Sequence, residues 1–197
     1  MTEPASPSAP MTDPHLREVT IGEPQRHDGP IALREYDPAW PDRFLHAARR
    51  IRKALGNRAL QLEHVGSTSV PGLLAKPVID ILLVVADSGD EPAYVPALEA
   101  AGYVLRIREP GWHQHRLLKG PETDVHLHVF SAGSAEIGRM LRFRDTLRAD
   151  PSLREWYAVT KRDLARRHWR YVQNYADAKS PVVEAILARA DRSASRE

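Results

Sequence analysis

The stretch Glu63–Val85, EHVGSTSVPGLLAKPVIDILLVV, decides how this chain folds. It opens on a short apolar strand, breaks into a loop rich in Gly, Ser, Thr and Pro, and re-enters a strand that is apolar except for Asp80. Burying an ionised carboxylate without a partner costs on the order of several kcal/mol, so a lone aspartate in such a run implies a cation or donors waiting for it. The sequence question is which cation.

Working outward, the 197 residues suit one domain of ordinary size and are enough for a proper core. There is no cysteine, which excludes disulfides and thiolate metal sites and makes a cytoplasmic address the expectation. No apolar run approaches the roughly 18 residues of a membrane span. The start of the chain lacks the basic head and apolar middle of a signal peptide. The formal charge of +2, without a long basic track, argues against a nucleic-acid partner. Residues 1–29 mix Pro, Ser and charge without apolar periodicity and read as a disordered arm. Residues 30–192 form one domain, and 193–197 a tail.

Within the domain, IALREY (31–36) reads as a short strand. Trp40, Phe44, Ala47, Ile51 and Leu55 share one helical face, closed by Gly56. ALQLEHV enters the glycine loop as a strand and VIDILLVV leaves it as another. A helix over 91–101 and a strand over about 103–108 follow. WHQHRLLK and DVHLHVF then make a hairpin. From Ala135 the pattern turns helical, over about 136–149, 152–170 and 177–191. The order is α+β: helices covering one face of a small mixed sheet, with the other face or an edge open for a site, and a helical C-terminal block.

The block EHVGSTSVPGLLAKPVIDILLVV resembles the signature of the GrpB family, a group within the nucleotidyltransferase-like (polymerase-beta-type) superfamily. YDPAWPDRF upstream, VHLHVF in the middle, and FRDTLRADPSLREWYAVTKRDLA and YADAKSPVVEAILARA downstream follow the family's order, so the resemblance covers roughly residues 31–190. It implies a nucleotidyltransferase-like sheet. Members of the family also occur fused to dephospho-CoA kinases, which implies nucleotide or coenzyme A surroundings.

In the superfamily pattern a Gly-Ser pair after the first core strand holds the phosphates of a nucleotide, and Gly66-Ser67 matches it. Glycine lets a phosphate approach the backbone, and Ser67, Thr68 and Ser69 add hydroxyl donors. Lys76 is placed to meet the same phosphates. The competing reading is a rigid connector, stiffened by Pro71 and Pro77. Asp80 matches the first metal-binding carboxylate of the superfamily. Its expected partner two residues on, which would share Mg²⁺ from the same sheet face, is Leu82. The alternative for Asp80 is a structural ion pair with Lys76 or an arginine.

The hairpin offers a replacement. Pairing it across Pro121-Glu122 sets Lys119 opposite Asp124, Leu117 opposite His126, and His115 opposite His128. That gathers His113, His115, His126 and His128 on the wetter face and leaves Leu118, Val125, Leu127 and Val129 on the buried one. An Asp/His set suits Zn²⁺ or Mn²⁺, and the superfamily pattern puts VHLHVF on the strand beside Asp80. Metal ligands are therefore expected at Asp80, His126 and His128, with Mg²⁺, Mn²⁺ or Zn²⁺ as the ion. The same three are the candidate catalytic groups, His126 and His128 also serving as general base or as cations against a phosphate. The alternative is a polar strand face packed under the helices.

Lys161, Arg162, Arg166 and Arg170 make a basic stripe, either a solvated helix face or a phosphate-facing one. Lys161 and Lys179 lie in the family-like blocks, and Tyr175 is placed to stack on a base or meet a phosphate. Trp156, Tyr157, Trp169 and Tyr171 read as core. Two functions follow: a metal-dependent nucleotidyl or phosphoryl transferase acting on a small molecule or protein, or a non-catalytic module binding a nucleotide or coenzyme-A-like ligand.

Overall fold

Residues 11–121 and 125–194 are described by a computed structural model. In chain order they form α1 (Asp13–Val19), α2 (Trp40–Leu55), β1 (Gln61–Val65), β2 (Ile79–Val85), α3 (Val95–Ala100) and β3 (Val104–Glu109). Then come β4 (His115–Lys119), β5 (Val125–Ser131), α4 (Ala135–Ala149), α5 (Pro151–Ala165), α6 (Val172–Asp177) and α7 (Ser180–Ala194). The five strands make one mixed sheet in the order β1-β2-β5-β4-β3, the α+β class expected. The apolar run of the opening stretch becomes the inner strand β2, antiparallel to β1 and parallel to β5.

Alternation along β2 sorts its residues onto two faces. Ile79, Ile81, Leu83 and Val85 join Val125, Leu127 and Val129 of β5 under α2 and α3. Helix α2 meets them with Ala47, Ala48, Ile51 and Leu55, at the spacing that keeps one helical stripe turned inward. The other row is Asp80, Leu82 and Val84. Leu82 and Val84 pack with Val65, Phe130 and three α4 side chains, Ile137, Met140 and Leu141. Helices therefore lie on both faces, and on the second face Asp80, His126 and His128 stay partly exposed. Helices α4, α5 and α7 also close over Val70, Leu73 and Leu74, so the helical block grips the segment that follows the glycine loop.

Of the arm expected to be disordered, residues 1–10 lie outside the described residues, and the rest departs from expectation. Residues 11–29 dock on the domain: α1 is capped by Thr12 and buries Leu16 and Val19. Ile21 donates its N–H to Arg106 at 2.8 Å, and Asp13 pairs with Arg170. Leu16, Val19 and Ile21 are only three apolar residues, but a preformed sheet edge gives them a surface to bury, which composition averaged over 29 residues does not reveal. The expected strand at 31–36 is reduced to one bridge, Arg34 to Ala75, because Ala75 lies in an irregular segment rather than a strand. The helix expected over 152–170 stops at Ala165. Past it the chain turns back, and Trp169 and Gly29 exchange main-chain hydrogen bonds at 3.0 and 3.2 Å.

The hairpin has the expected faces and a different register. Leu117 pairs with His128 and Lys119 with His126, a shift of two from the expected partners. Closure occurs between Gly120 and Val125, at a wider connection than a Pro-Glu turn. A Cβ on Gly120 would sit 2.8 Å from Val125 Cβ, so only glycine allows that approach. A two-residue shift preserves parity, so the faces survive. Asp124 lies outside the described residues. His113 is in the turn before β4, with φ +51°, and does not join the strand face.

Candidate functional site around Asp80

Strand pairing brings the site together. Asp80 is the register partner of Val65 on one side and of His126 on the other. Its Oδ1 lies 3.6 Å from His126 Nδ1 and 3.6 Å from His128 Nε2, and its side chain remains 28% exposed. So VHLHVF does occupy the strand beside Asp80. Burial pushes the Asp80 carboxyl up, but the two imidazoles more than reverse this and hold it well below the usual carboxylate range.

Gly66 closes the other side. With φ +68° and ψ −174° it adopts a backbone reserved for glycine. A Cβ there would lie 2.3 Å from Asp80 Oδ2. The loop's main chain thus approaches the carboxylate as closely as it can.

The hydroxyls that follow are unequal. Thr68 is buried, donates to the Val78 carbonyl at 2.9 Å, and accepts from His64 Nε2 at 3.1 Å. Ser69 is buried and donates to the Gly66 carbonyl at 2.6 Å. Both side chains are spent on the loop itself, which gives weight to the connector reading for those two. Ser67 is half-buried and lies by the Tyr157 side chain. Lys76 is half-buried and engaged by a partner.

Helix α5 delivers Lys161, which is buried and donates from Nζ to the Leu74 carbonyl. Burial drives its pKa well down; Lys179 lowers it further, and Asp80 opposes them. Lys161, Lys179 and Asp80 are therefore electrostatic neighbours. Lys179 Nζ stands 4.8 Å above the Tyr175 ring. Tyr175 itself is buried on α6 with a hydroxyl that has no hydrogen-bond partner among the described residues. The rest of the expected basic stripe disperses once α5 ends: Arg162 pairs with Glu155, Arg166 with Asp163, and Arg170 with Asp13. Of the aromatics read as core, Tyr157 and Tyr171 are buried and Trp169 is half-buried, while Trp156 is 41% exposed.

Two contributors escaped sequence reading. Glu109 Oε2 lies 2.6 Å from His115 Nδ1, and His115 Nε2 lies 3.1 Å from His128 Nδ1. A carboxylate can only accept, so a neutral His115 carries its proton on Nδ1 and accepts at Nε2 from His128. His128 thus has Nδ1 engaged by His115 and Nε2 directed at the Asp80 carboxylate. Burial pushes the His115 imidazole down to about 4, which favours that neutral form. Tyr157 was the second, read only as core. Pairing β3 with β4 as a hairpin exposes Glu109, since it stands opposite His115 in that register.

Leu82, at the expected second carboxylate position, is fully buried among apolar side chains. Val78, two residues before Asp80, is buried as well. Among the described residues, no group of three or more His, Asp or Glu side chains stands in an arrangement that could hold a metal ion.

The profile of one family, described as GrpB protein, matches residues 30–189. A UPF0157 protein of Halalkalibacterium halodurans is 63% identical over 187 residues, covering 95% of this chain and 96% of that protein. The crystal structure of conserved protein GrpB from Enterococcus faecalis superposes with a TM-score of 0.72 at 32% identity, over 82% of this chain and 98% of that one. A dephospho-CoA kinase of Mycobacterium bovis is 34% identical over 180 residues, which span 77% of this chain and 44% of the kinase.

Proposed function

This chain belongs to the GrpB family, and we propose that it is a cytoplasmic protein that binds a nucleoside triphosphate at the Gly66–Asp80 site and transfers a nucleotidyl or phosphoryl group from it. The observation that carries the reading is the Asp80 carboxylate, flanked at 3.6 Å by His126 Nδ1 and His128 Nε2 and faced by the Gly66 backbone. In this reading the triphosphate lies along the loop at Gly66 and Ser67. Lys179 balances its charge, with the buried Lys161 as its electrostatic neighbour, and Tyr175 offers a hydroxyl that lacks a partner among the described residues.

A divalent cation, Mg²⁺ or Mn²⁺ with Zn²⁺ as the third choice, would be held by Asp80 and one imidazole, with phosphate oxygens completing its shell. When bound it would neutralise charge on the phosphates. The chain's own part is to aim His128 through Glu109 and His115, and to keep Asp80 ionised. The acceptor is a small molecule or a protein side chain.

One observation favours a second reading, a module that binds a nucleotide or coenzyme-A-like ligand without chemistry. Leu82 sits in the apolar cluster under α4, so the second carboxylate is replaced by core rather than by another polar group. A thermal-shift screen of nucleotides with Mg²⁺, Mn²⁺ and Zn²⁺ tests what the two readings share, because a ligand that binds only the folded chain raises its midpoint. ATP with Mn²⁺ should raise it more than either alone. No shift with any nucleotide would remove both. Release of pyrophosphate or phosphate from a nucleotide that does bind would then separate transferase from module.

A further inference from the structure

Beside the loop lies a groove of about 520 Å³ whose lining does not include Asp80. One wall is Tyr36, Phe44 and Leu45; the other is Arg144, Arg148 and Arg154. The first wall is apolar and open. Leu45 is 45% exposed, and Phe44 stacks on His64 with ring centroids 4.9 Å apart and planes 6° from parallel.

The second wall carries more positive charge than its neighbours offset. Arg144 is held by Glu63 and Asp145, each at 2.8 Å. Arg148 commits Nε and Nη2 to the Ser69 carbonyl, and its nearest carboxylate is Asp145 at 3.6 Å. Arg154 reaches only the carbonyls of Leu147 and Arg148, at 3.2 and 3.4 Å, and has no carboxylate partner among the described residues. Burial and then the nearby Arg144 pull Arg148 below its ordinary value, as expected for crowded cations.

Guanidinium groups present planar forks that match phosphate oxygens, and a volume of this size suits a small organic ligand. We infer that this groove is a second ligand site, separate from Asp80, for a small phosphomonoester: its phosphate meets Arg148 and Arg154, and a flat apolar body lies against Phe44 and Leu45. Because Arg148 also holds the Ser69 carbonyl, the ligand would touch the loop that carries Gly66. The inference does not depend on the Asp80 site having any ligand.

Calorimetric titration of the full chain with phenyl phosphate tests it, with inorganic phosphate and phenol as the component probes. Phenyl phosphate should bind more tightly than either. Arg154→Met should weaken it about tenfold, the loss expected for one charge-assisted contact. Leu45→Glu, at an exposed position, should weaken phenyl phosphate more than inorganic phosphate, and Asp80→Asn should leave both unchanged. Unaltered thermal midpoints would show that the variants fold. The inference is overturned if phenyl phosphate does not bind. It is equally overturned if Asp80→Asn abolishes binding while Arg154→Met does not, since the phosphate would then sit at Asp80.

Discussion

Replacing Gly66 by alanine attacks the closest approach in the site. The new Cβ would lie 2.3 Å from Asp80 Oδ2 and 2.9 Å from both Asp80 Cβ and Cγ. Rotating the carboxylate relieves the first contact only, and takes it away from His126 and His128. Two costs add. Holding a non-glycine residue at φ +68°, ψ −174° costs roughly 1–3 kcal/mol. Forcing extra volume into a packed contact costs roughly another 1–3 kcal/mol. A destabilisation of about 4 kcal/mol follows, which for a domain of this size lowers the thermal midpoint by roughly 8–16 °C. Circular dichroism melts at pH 7 measure it. The steric share can be isolated, because Asp80→Ala deletes Oδ2 and Cγ. In that background Gly66→Ala should cost at least about 1 kcal/mol less, a coupling of the size seen for residues in contact. A cost below about 1 kcal/mol in the parent chain, or the same cost in both backgrounds, would refute the geometry.

Further outcomes follow from other groups. Arg108, and after it Arg116, hold Glu91 at about 2 against the opposing effect of burial. A depressed carboxyl stabilises the fold above its ordinary 4.5 and loses that contribution as pH falls toward 2, so Glu91→Gln should cost roughly 2–3 kcal/mol at pH 7 and little at pH 2 in urea titrations. Burial pushes the His64 imidazole down from 6.5 to about 4, so its contribution is present above pH 6.5 and disappears as pH falls to 4. The acid slope of stability over that window should be shallower in His64→Gln. Lys161→Met relieves a buried cation, and should leave the melting midpoint unchanged or higher at pH 7 while weakening ATP binding severalfold; loss of fold and binding together would make Lys161 purely structural. Leu16→Ala should destabilise the chain by about 2–4 kcal/mol, because residues 11–29 are docked rather than disordered.

The sheet and the neighbourhood of Asp80 were legible for a physical reason: β2 has one polar residue, and period-two alternation assigns its face without any tertiary knowledge. The same parity put His126 and His128 on the correct face even though the hairpin register slipped by two residues. What could not be read depends on distance in sequence. Glu109 reaches His128 only through His115 on an intervening strand, and Tyr157 reaches Ser67 from a helix some ninety positions away. The internal use of the Thr68 and Ser69 hydroxyls is a matter of loop winding, which residue type does not specify. The docking of α1 was hidden for the opposite reason. Its few apolar residues are unremarkable by themselves, and acquire meaning only beside the exposed edge of β3.

Whether Asp80 and His128 act on one ligand is tested most directly by calorimetry of ATP binding in the presence of Mn²⁺. Wild type, Asp80→Asn, His128→Ala and the double variant form the cycle. Each single change should weaken ATP binding by about tenfold or more, and the double change should weaken it by less than the product of the two. Effects that multiply strictly, or ATP binding that is indifferent to Asp80→Asn, would contradict a shared ligand and return Asp80 to the role of a buried partner for two imidazoles.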